Sequence, residues 1–339
     1  MISLAVKYRP TTFNDVVAQE NIKAILEQQI VTKNHKNCYL FTGGAGTGKT
    51  TCARIFANEL NGGKGKAIEI DAASNNGVEN VRNIIDDSKH KSLDGEFKIY
   101  ILDEVHMLST GAWNAMLKLL EEPPLKTIFL MCTTDPQKIP ATILSRVQRF
   151  DFHRIPTNQI VERLDLILQK ENYDLEVNAG ICYEWDKEAL EYIAKIADGG
   201  MRDAITLLDK CLSYSGDITV ENVVNALGAT DYGVMFELLE YIYEKDEFNI
   251  IETIENIYMD GKDLKQFTRQ FFFFVLDLVK YNICHDYVQI PSSYSKECKL
   301  ETGKKQFIIV LTGELQELLN RIKWEQNPKQ FIIAGLLTL

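Results

Sequence analysis

Cys38-Tyr39-Leu40-Phe41-Thr42 runs into Gly43-Gly44-Ala45-Gly46-Thr47-Gly48-Lys49-Thr50-Thr51, and this stretch decides the fold. The first five residues form a short apolar run, as expected of a strand buried on both faces. The glycines end it in a turn. Cys52, Ala53, Ile55, Phe56 and Leu60 then recur at helical spacing. The turn fits the pattern G-x-x-x-x-G-K-[ST] and sits between strand and helix, as that pattern's chemistry requires. Glycines let the backbone wrap a phosphate chain with its N–H groups inward, and the following helix adds the positive end of its dipole. Lys49 is expected to reach the outer phosphates, and the Thr50 hydroxyl to hold Mg²⁺.

Outward from this turn the alternation continues. Ile22, Ile25, Leu26 and Ile30 mark a helix over 20–33. Short strands are predicted at 67–71, 98–102 and 127–132, separated by helices at 78–89 and 112–120. Such alternation implies parallel strands joined by crossover helices, hence an α/β domain. Beyond about residue 155 the strand signal stops. Helices are predicted at 157–171, 186–197 and 202–214, with breaks at Pro156-Thr157 and near Ser215-Gly216-Asp217. From Val220 onward the pattern is helical, apart from a polar loop around Pro291-Ser292-Ser293. A chain of 339 residues is too long for one small core. The expected division is 1–155, 156–215 and 216–339. The run 271–279 is broken by Asp277 and is shorter than the roughly 20 residues a membrane span needs, so it reads as a buried helix.

Ile99-Tyr100-Ile101-Leu102-Asp103-Glu104 is an apolar strand ending in two acids. Asp103 suits a water-mediated Mg²⁺ contact beside the phosphate loop, and Glu104 suits polarising an attacking water. A solvated acidic turn is the plain alternative. Thr134, past the next strand, could bond a γ-phosphate or simply close a turn. Arg146 fits either a surface ion pair or a reach into a neighbour's nucleotide site, where an arginine is worth about 10³–10⁵ in rate. Arg202, in Gly199-Gly200-Met201-Arg202-Asp203, opens a helix at the end its charge disfavours. Facing a phosphate would explain that, and so would pairing with Asp203 or Asp198. His106, Trp113 and the phenylalanines 271–274 read as core or interface residues. His35, His90 and His153 sit in polar surroundings and make no metal cluster.

Net charge is −11, so the surface as a whole does not attract nucleic acid, and any such contact must be local. The seven cysteines show no C-x-x-C spacing and are odd in number, which points to reduced, mostly buried thiols. The N-terminus carries no apolar segment of a secretory signal.

Four further strings carry a resemblance. They are Val6-Lys7-Tyr8-Arg9-Pro10-Thr11-Thr12-Phe13-Asn14-Asp15-Val16-Val17, Glu69-Ile70-Asp71-Ala72-Ala73-Ser74-Asn75-Asn76-Gly77-Val78, Leu117-Lys118-Leu119-Leu120-Glu121-Glu122-Pro123-Pro124 and Thr133-Thr134-Asp135-Pro136-Gln137-Lys138-Ile139-Pro140. With the ending Asn327-Pro328-Lys329 and its apolar helix, they resemble the γ/τ subunits of bacterial DNA polymerase III along nearly the whole chain. The resemblance implies an AAA+ ATPase: a P-loop parallel-sheet domain, a small helical lid and an all-helical collar that holds a five-subunit spiral. It implies ATP and Mg²⁺ as cofactors, with Gly43, Gly44, Ala45, Gly46, Thr47, Gly48, Lys49, Thr50 and Thr51 around the phosphates. Thr50 and Asp103 would serve the metal. Lys49, Thr50, Asp103 and Glu104 match the Walker residues, Thr134 the strand sensor, Arg202 the lid sensor and Arg146 the trans-acting arginine. Tyr8, Arg9 and Val17 match the segment lining the adenine pocket, and the helix starting near Asn75 to Gly77 matches one facing DNA phosphates.

The implied partners are δ- and δ′-like loader subunits, copies of the chain itself, a ring-shaped sliding clamp and primer–template DNA. No membrane is implied, and the setting is cytoplasmic and nucleoid-associated. Three departures from the family pattern stand out. Asn61-Gly62-Gly63-Lys64-Gly65-Lys66 replaces a four-cysteine zinc module, so no zinc is expected. The Ser-Arg-Cys motif reads Ser145-Arg146-Val147. The sequence stops at the expected collar, so the role of a τ extension in bridging helicase and polymerase is not expected of it. Two other readings remain: a non-hydrolysing scaffold subunit of the same machine, and another AAA+ motor such as a branch-migration helicase.

Overall fold

The structure is a computed structural model that describes residues 2–338 apart from 91, 93–94, 180–181, 229, 285–289, 291–293, 324 and 326, and gives backbone alone for 174–179. The polar loop expected at Pro291-Ser292-Ser293 lies outside the described residues. The chain gathers into two compact units, Met1–Glu171 with Ala197–Asp209, and Asn172–Ile196 with Lys210–Leu339.

The first unit opens with a single turn, α1 (Leu4–Lys7), and a 3₁₀ turn at Phe13–Asp15, followed by α2 (Glu20–Thr32) and β1 (Cys38–Gly43). Next come α3 (Lys49–Leu60), β2 (Ile68–Asp71), α4 (Val78–Ser88), β3 (Lys98–Asp103), α5 (Thr110–Glu121) and β4 (Thr127–Thr133). The turn α6 (Ala141–Leu144) and β5 (Gln148–Phe152) complete the sheet. Helix α7 (Thr157–Ala179) starts in this unit. All four pairings in the sheet are parallel, in the order β2-β3-β4-β1-β5. Register aligns the strand ends: Thr42 opposes both Thr133 and Asp151, and Asp71 opposes Asp103. In such sheets ligands meet the carboxyl ends of the strands, where the loops diverge.

Alternation within the buried strands builds a core on each face. Ile99, Ile101, Leu130 and Phe41 face α3, with Phe56 and Leu26 in the same cluster. Tyr100, Leu102, Phe129 and Met131 face the other way, with Trp113 and Met116 of α5. Helix α5 begins two residues before Ala112, where the apolar pattern starts, and the Ser109 hydroxyl accepts from Ala112 N–H and caps it.

Two strand features depart from the sequence expectation. β5 is an edge strand that buries Phe150 and Phe152 and exposes Arg149 and Asp151. It alternates, so a search for continuous apolar runs passes over it. The second unit also holds a parallel pair, β6 (Glu184–Trp185) with β7 (Asp217–Ile218), beyond the point where the strand signal ends. It is only two residues long in each strand, too short to show a period.

The rest of the second unit is helical: α8 (Lys187–Ile196), α10 (Val220–Leu227), α11 (Tyr232–Glu244), α12 (Glu247–Met259), α13 (Leu264–Cys284), α14 (Thr302–Ile322) and α15 (Pro328–Leu337). Helix α9 (Met201–Tyr214) starts in the first unit. α14 buries Ile308, Leu311, Leu315, Leu318 and Ile322, an alternation of three and four that makes one stripe, and it packs on α13. α13 buries Phe271, Phe274, Val275 and Leu278, the buried helix expected there. Asp277 is buried within it and holds Lys280 at 3.2 Å. Among the described residues no helix is long and apolar enough to cross a membrane. None of the cysteines forms a disulfide among the described residues, and Cys38, Cys52, Cys132, Cys211 and Cys298 are buried.

Candidate functional site

The turn after β1 is shaped by what surrounds it. Gly43 has φ +144°, and a Cβ there would stand 2.4 Å from the Phe152 carbonyl oxygen. Gly46 has φ +68°, and a Cβ there would lie 2.9 Å from Gly200 Cα. The Gly46 carbonyl accepts from Met201 N–H at 3.0 Å, so the turn touches the start of α9 backbone to backbone. Only glycine meets both the dihedral and the space at these two positions.

Lys49 opens α3 and is 6% exposed. Its Nζ donates to the carbonyl oxygens of Gly43 at 2.9 Å and Gly44 at 2.7 Å. Burial pulls the ammonium below the ordinary lysine range, and the nearby charges of Glu104 and Asp103 oppose that pull. Gly48, at the helix N-cap, supplies no side-chain acceptor to the first N–H groups of α3. A buried cation held by neutral carbonyls, above helix donors without a side-chain cap, suits a multi-oxygen anion such as a phosphate chain.

The acids meet this turn through one bond. The Thr50 hydroxyl donates to Asp103 Oδ2 at 2.9 Å, joining the first turn of α3 to the end of β3. Asp103 Oδ1 accepts the N–H of Glu104 at 3.1 Å. Glu104 adopts φ +48°, a left-handed conformation uncommon for a residue with a side chain. Its Oε2 accepts from Thr134 N at 3.2 Å and from Thr134 Oγ1 at 3.0 Å. The β3–β4 pairing places these two residues side by side just past the strand ends. A hydroxyl and a carboxylate next to a metal-grade acid form a set able to hold Mg²⁺ and orient a water.

One pocket collects Tyr8, Arg9 and Val17 of the N-terminal segment, Gly46 to Thr51 of the turn, and Arg202. The segment is tied down by three contacts: Leu4 N–H to Asp209 Oδ2 at 3.1 Å, Arg163 Nη2 to the Tyr8 carbonyl at 3.2 Å, and Lys7 to Glu171 at 2.7 Å. Sequence reasoning missed Arg163, Ile155 and Ile205, which also line the pocket. Isoleucines carry no chemical signal, and Arg163 lies mid-helix without a motif. With Arg9 and Arg202 it places three guanidiniums around one cavity in a chain of net charge −11.

Gly43, Gly44, Ala45, Asp103, Glu104 and Thr134 do not line that pocket; Asp103 joins it through Thr50. Asp198 pairs with Arg154, and the Arg202 guanidinium forms no ion pair among the described residues. Arg146 lies elsewhere. Its Nε and Nη2 donate to Glu121 Oε1 at 3.0 and 2.7 Å, and Nη1 donates to Ser145 Oγ at 3.1 Å. His106, read as core or interface, has a side chain 12% exposed and places Nδ1 3.1 Å from Glu104 Oε2.

Residues 65–156 match the family described as DNA polymerase III, delta subunit. Residues 159–217 match DNA polymerase III clamp loader subunit, ATPase lid domain. Residues 218–305 match DNA polymerase III subunits gamma and tau domain III. DNA polymerase III subunit tau of Bacillus subtilis is 37% identical over 98% of this chain and 62% of that protein. Subunit tau/gamma of Haemophilus influenzae is 38% identical over 75% of this chain and 39% of its own length. Subunit gamma of Buchnera aphidicola is 36% identical over 73% of this chain and 70% of its own length. The chain thus spans less than two thirds of the first two relatives. Among solved structures, the Thermotoga maritima RuvB Holliday junction branch migration motor superposes with a TM-score of 0.52 at 19% identity, over 70% of this chain and 80% of that one. That likeness carries the fold alone. A parallel P-loop sheet with a lid and a helical C-terminal part, matched nearly end to end by tau, makes this chain a member of the DNA polymerase III γ/τ clamp-loader family of AAA+ proteins.

Proposed function

We propose that this chain is an ATP-hydrolysing subunit of a loader that opens a ring-shaped sliding clamp and closes it on primer–template DNA. The carrying observation is the Thr50–Asp103 hydrogen bond, which joins the glycine turn to the acid pair beside Thr134. Bound ATP and Mg²⁺ would supply the phosphoanhydride and the metal charge on its outer oxygens. The chain's own groups do the rest. The turn's N–H groups and Lys49 hold phosphate oxygens, Thr50 and Asp103 hold the metal, and Glu104 orients a water. Tyr8, Arg9 and Val17 line the base end of the pocket. Arg202, lacking an ion pair among the described residues, faces the phosphates.

The division 1–155, 156–215 and 216–339 into ATPase, lid and collar domains belongs to the same proposal, supported by family matches that change at 159 and 218. So do the partners: δ- and δ′-like subunits, further copies of the chain, a sliding clamp and primed DNA. For DNA, the start of α4 offers N–H groups with no side-chain cap at Gly77.

The test is ATPase activity of the assembled loader with clamp and primed DNA, for wild type and Lys49→Ala. A loss of about 10²-fold or more with the variant is expected. Equal rates would leave the scaffold reading, in which the chain binds without hydrolysing.

A further inference from the structure

One residue beside Glu104 has no part in the hydrolysis reading. His106 lies in the 3₁₀ turn Val105–Met107 that follows the acid pair. Its Nδ1 is 3.1 Å from Thr133 Oγ1 and 3.1 Å from Glu104 Oε2. Thr133 is fully buried, and its Oγ1 already accepts the N–H of Asp135 at 3.0 Å. A carboxylate oxygen has only lone pairs to offer. A bare Nδ1 would therefore set its own lone pair against that of Glu104 at contact distance. A protonated Nδ1 donates instead, shared between the carboxylate and the second lone pair of Thr133. Hydrogen on Nδ1 is the arrangement that suits both contacts.

Two hydrogen bonds reach one oxygen, from Thr134 N and Thr134 Oγ1, and His106 Nδ1 stands 3.1 Å from the same Oε2. Glu104 Oε1 accepts no hydrogen bond among the described residues and is left to act. The donors differ in permanence. Thr134 Oγ1 is the hydroxyl that a γ-phosphate would draw away from Glu104. His106 is held between Thr133 and the turn, with its side chain largely buried.

We propose that His106 is a positioning residue for Glu104, the donor that keeps Oε2 anchored when Thr134 exchanges the carboxylate for the γ-phosphate. The proposal rests on the hydrolysis reading, since an anchored base matters only if Glu104 orients water. Holding a base within a fraction of an ångström is worth up to about a hundredfold in rate.

The experiment uses the loader assembled with its partner subunits, clamp and primed DNA. It measures kcat for ATP hydrolysis together with the affinity for a fluorescent ATP analogue. His106→Ala should lower kcat by roughly 10- to 100-fold and leave nucleotide affinity within about twofold. His106→Asn carries an amide nitrogen two bonds from Cβ, as Nδ1 is, and should recover most of the rate. His106→Gln puts its amide one bond further out and should not. Wild-type kcat in the alanine variant, or rescue by Gln equal to that by Asn, would overturn the proposal in favour of space filling. Should His106→Ala not fold, the Asn and Gln variants alone decide. Glu104→Gln is the control. If the wild-type complex is idle, or Glu104→Gln matches it, the hydrolysis reading itself fails, and that result is distinct from an active wild type indifferent to His106.

Discussion

The Thr50 hydroxyl donates to Asp103 Oδ2 over 2.9 Å and is the bond by which the glycine turn and the acid-tipped strand share one site. Thr50→Val keeps the shape and removes the donor. Asp103 still accepts the Glu104 N–H, so the fold should lose only about 1 kcal/mol in a urea melt. Mg²⁺-dependent ATPase activity of the assembled loader should fall about a hundredfold. A variant with normal turnover at limiting Mg²⁺ would remove Thr50 from the metal site.

Gly46→Ala meets two obstacles together: the positive φ and Gly200 Cα 2.9 Å from the new methyl carbon. Strain of about 1–3 kcal/mol is expected, together with a loss of nucleotide affinity of at least tenfold by equilibrium binding. Gly77→Ala is the contrast, since a Cβ there meets nothing within 4 Å and no positive φ is required. It should melt and bind as wild type.

Arg146 and Glu121 form a partly exposed pair, with side chains 33% and 49% exposed. Such a pair contributes roughly 0.2–1 kcal/mol, so Arg146→Ala should hardly change the melting of the isolated chain. Its ATP affinity should also hold. If Arg146 acts on a neighbour's nucleotide, hydrolysis in the assembled loader should fall by about 10³. Weaker ATP binding by the isolated subunit would exclude action in trans.

Asp87 links α4 to β3: Lys98 Nζ is 2.8 Å from Oδ1, and the Tyr100 hydroxyl donates to Oδ2. The Lys98 bond first, and then Tyr100, hold its carboxyl below the ordinary value of 3.8. The stabilisation is therefore complete above pH 3.8 and is lost as pH falls through the lower folded value. Asp87→Asn should cost about 1 kcal/mol at pH 7, discounted because the side chain is half exposed. The gap in urea midpoint between wild type and variant should close as the pH drops below 3.8. A gap that stays constant into acid would rule out the charge as the source.

How much of this was written in the sequence depends on whether each signal is local. Lys49 and Thr50 stand in a motif whose spacing is its mechanism, and Asp103 and Glu104 end an apolar run, so these were legible. Buried central strands such as β4 announce themselves as continuous apolar residues. β5 does not, because an edge strand shows water one side and its Arg149 and Asp151 break the run. His106 reads as core or interface from the sequence because its surroundings are set by the left-handed turn at Glu104 and by the β3–β4 register. Neither is a property of a few neighbouring letters. Arg163, Ile155 and Ile205 reach the pocket only through tertiary packing.

Lys49 bears on how readily the turn receives an anion. The ammonium is already drawn in over Gly43 and Gly44, so the long side chain gives up its rotamer freedom during folding. That loss is about 1.5–2 kcal/mol, and an arriving ligand need not meet it again. Capture becomes an exchange of two carbonyl acceptors for charged oxygens, a preorganised cradle whose own backbone keeps the seat until something more negative takes it.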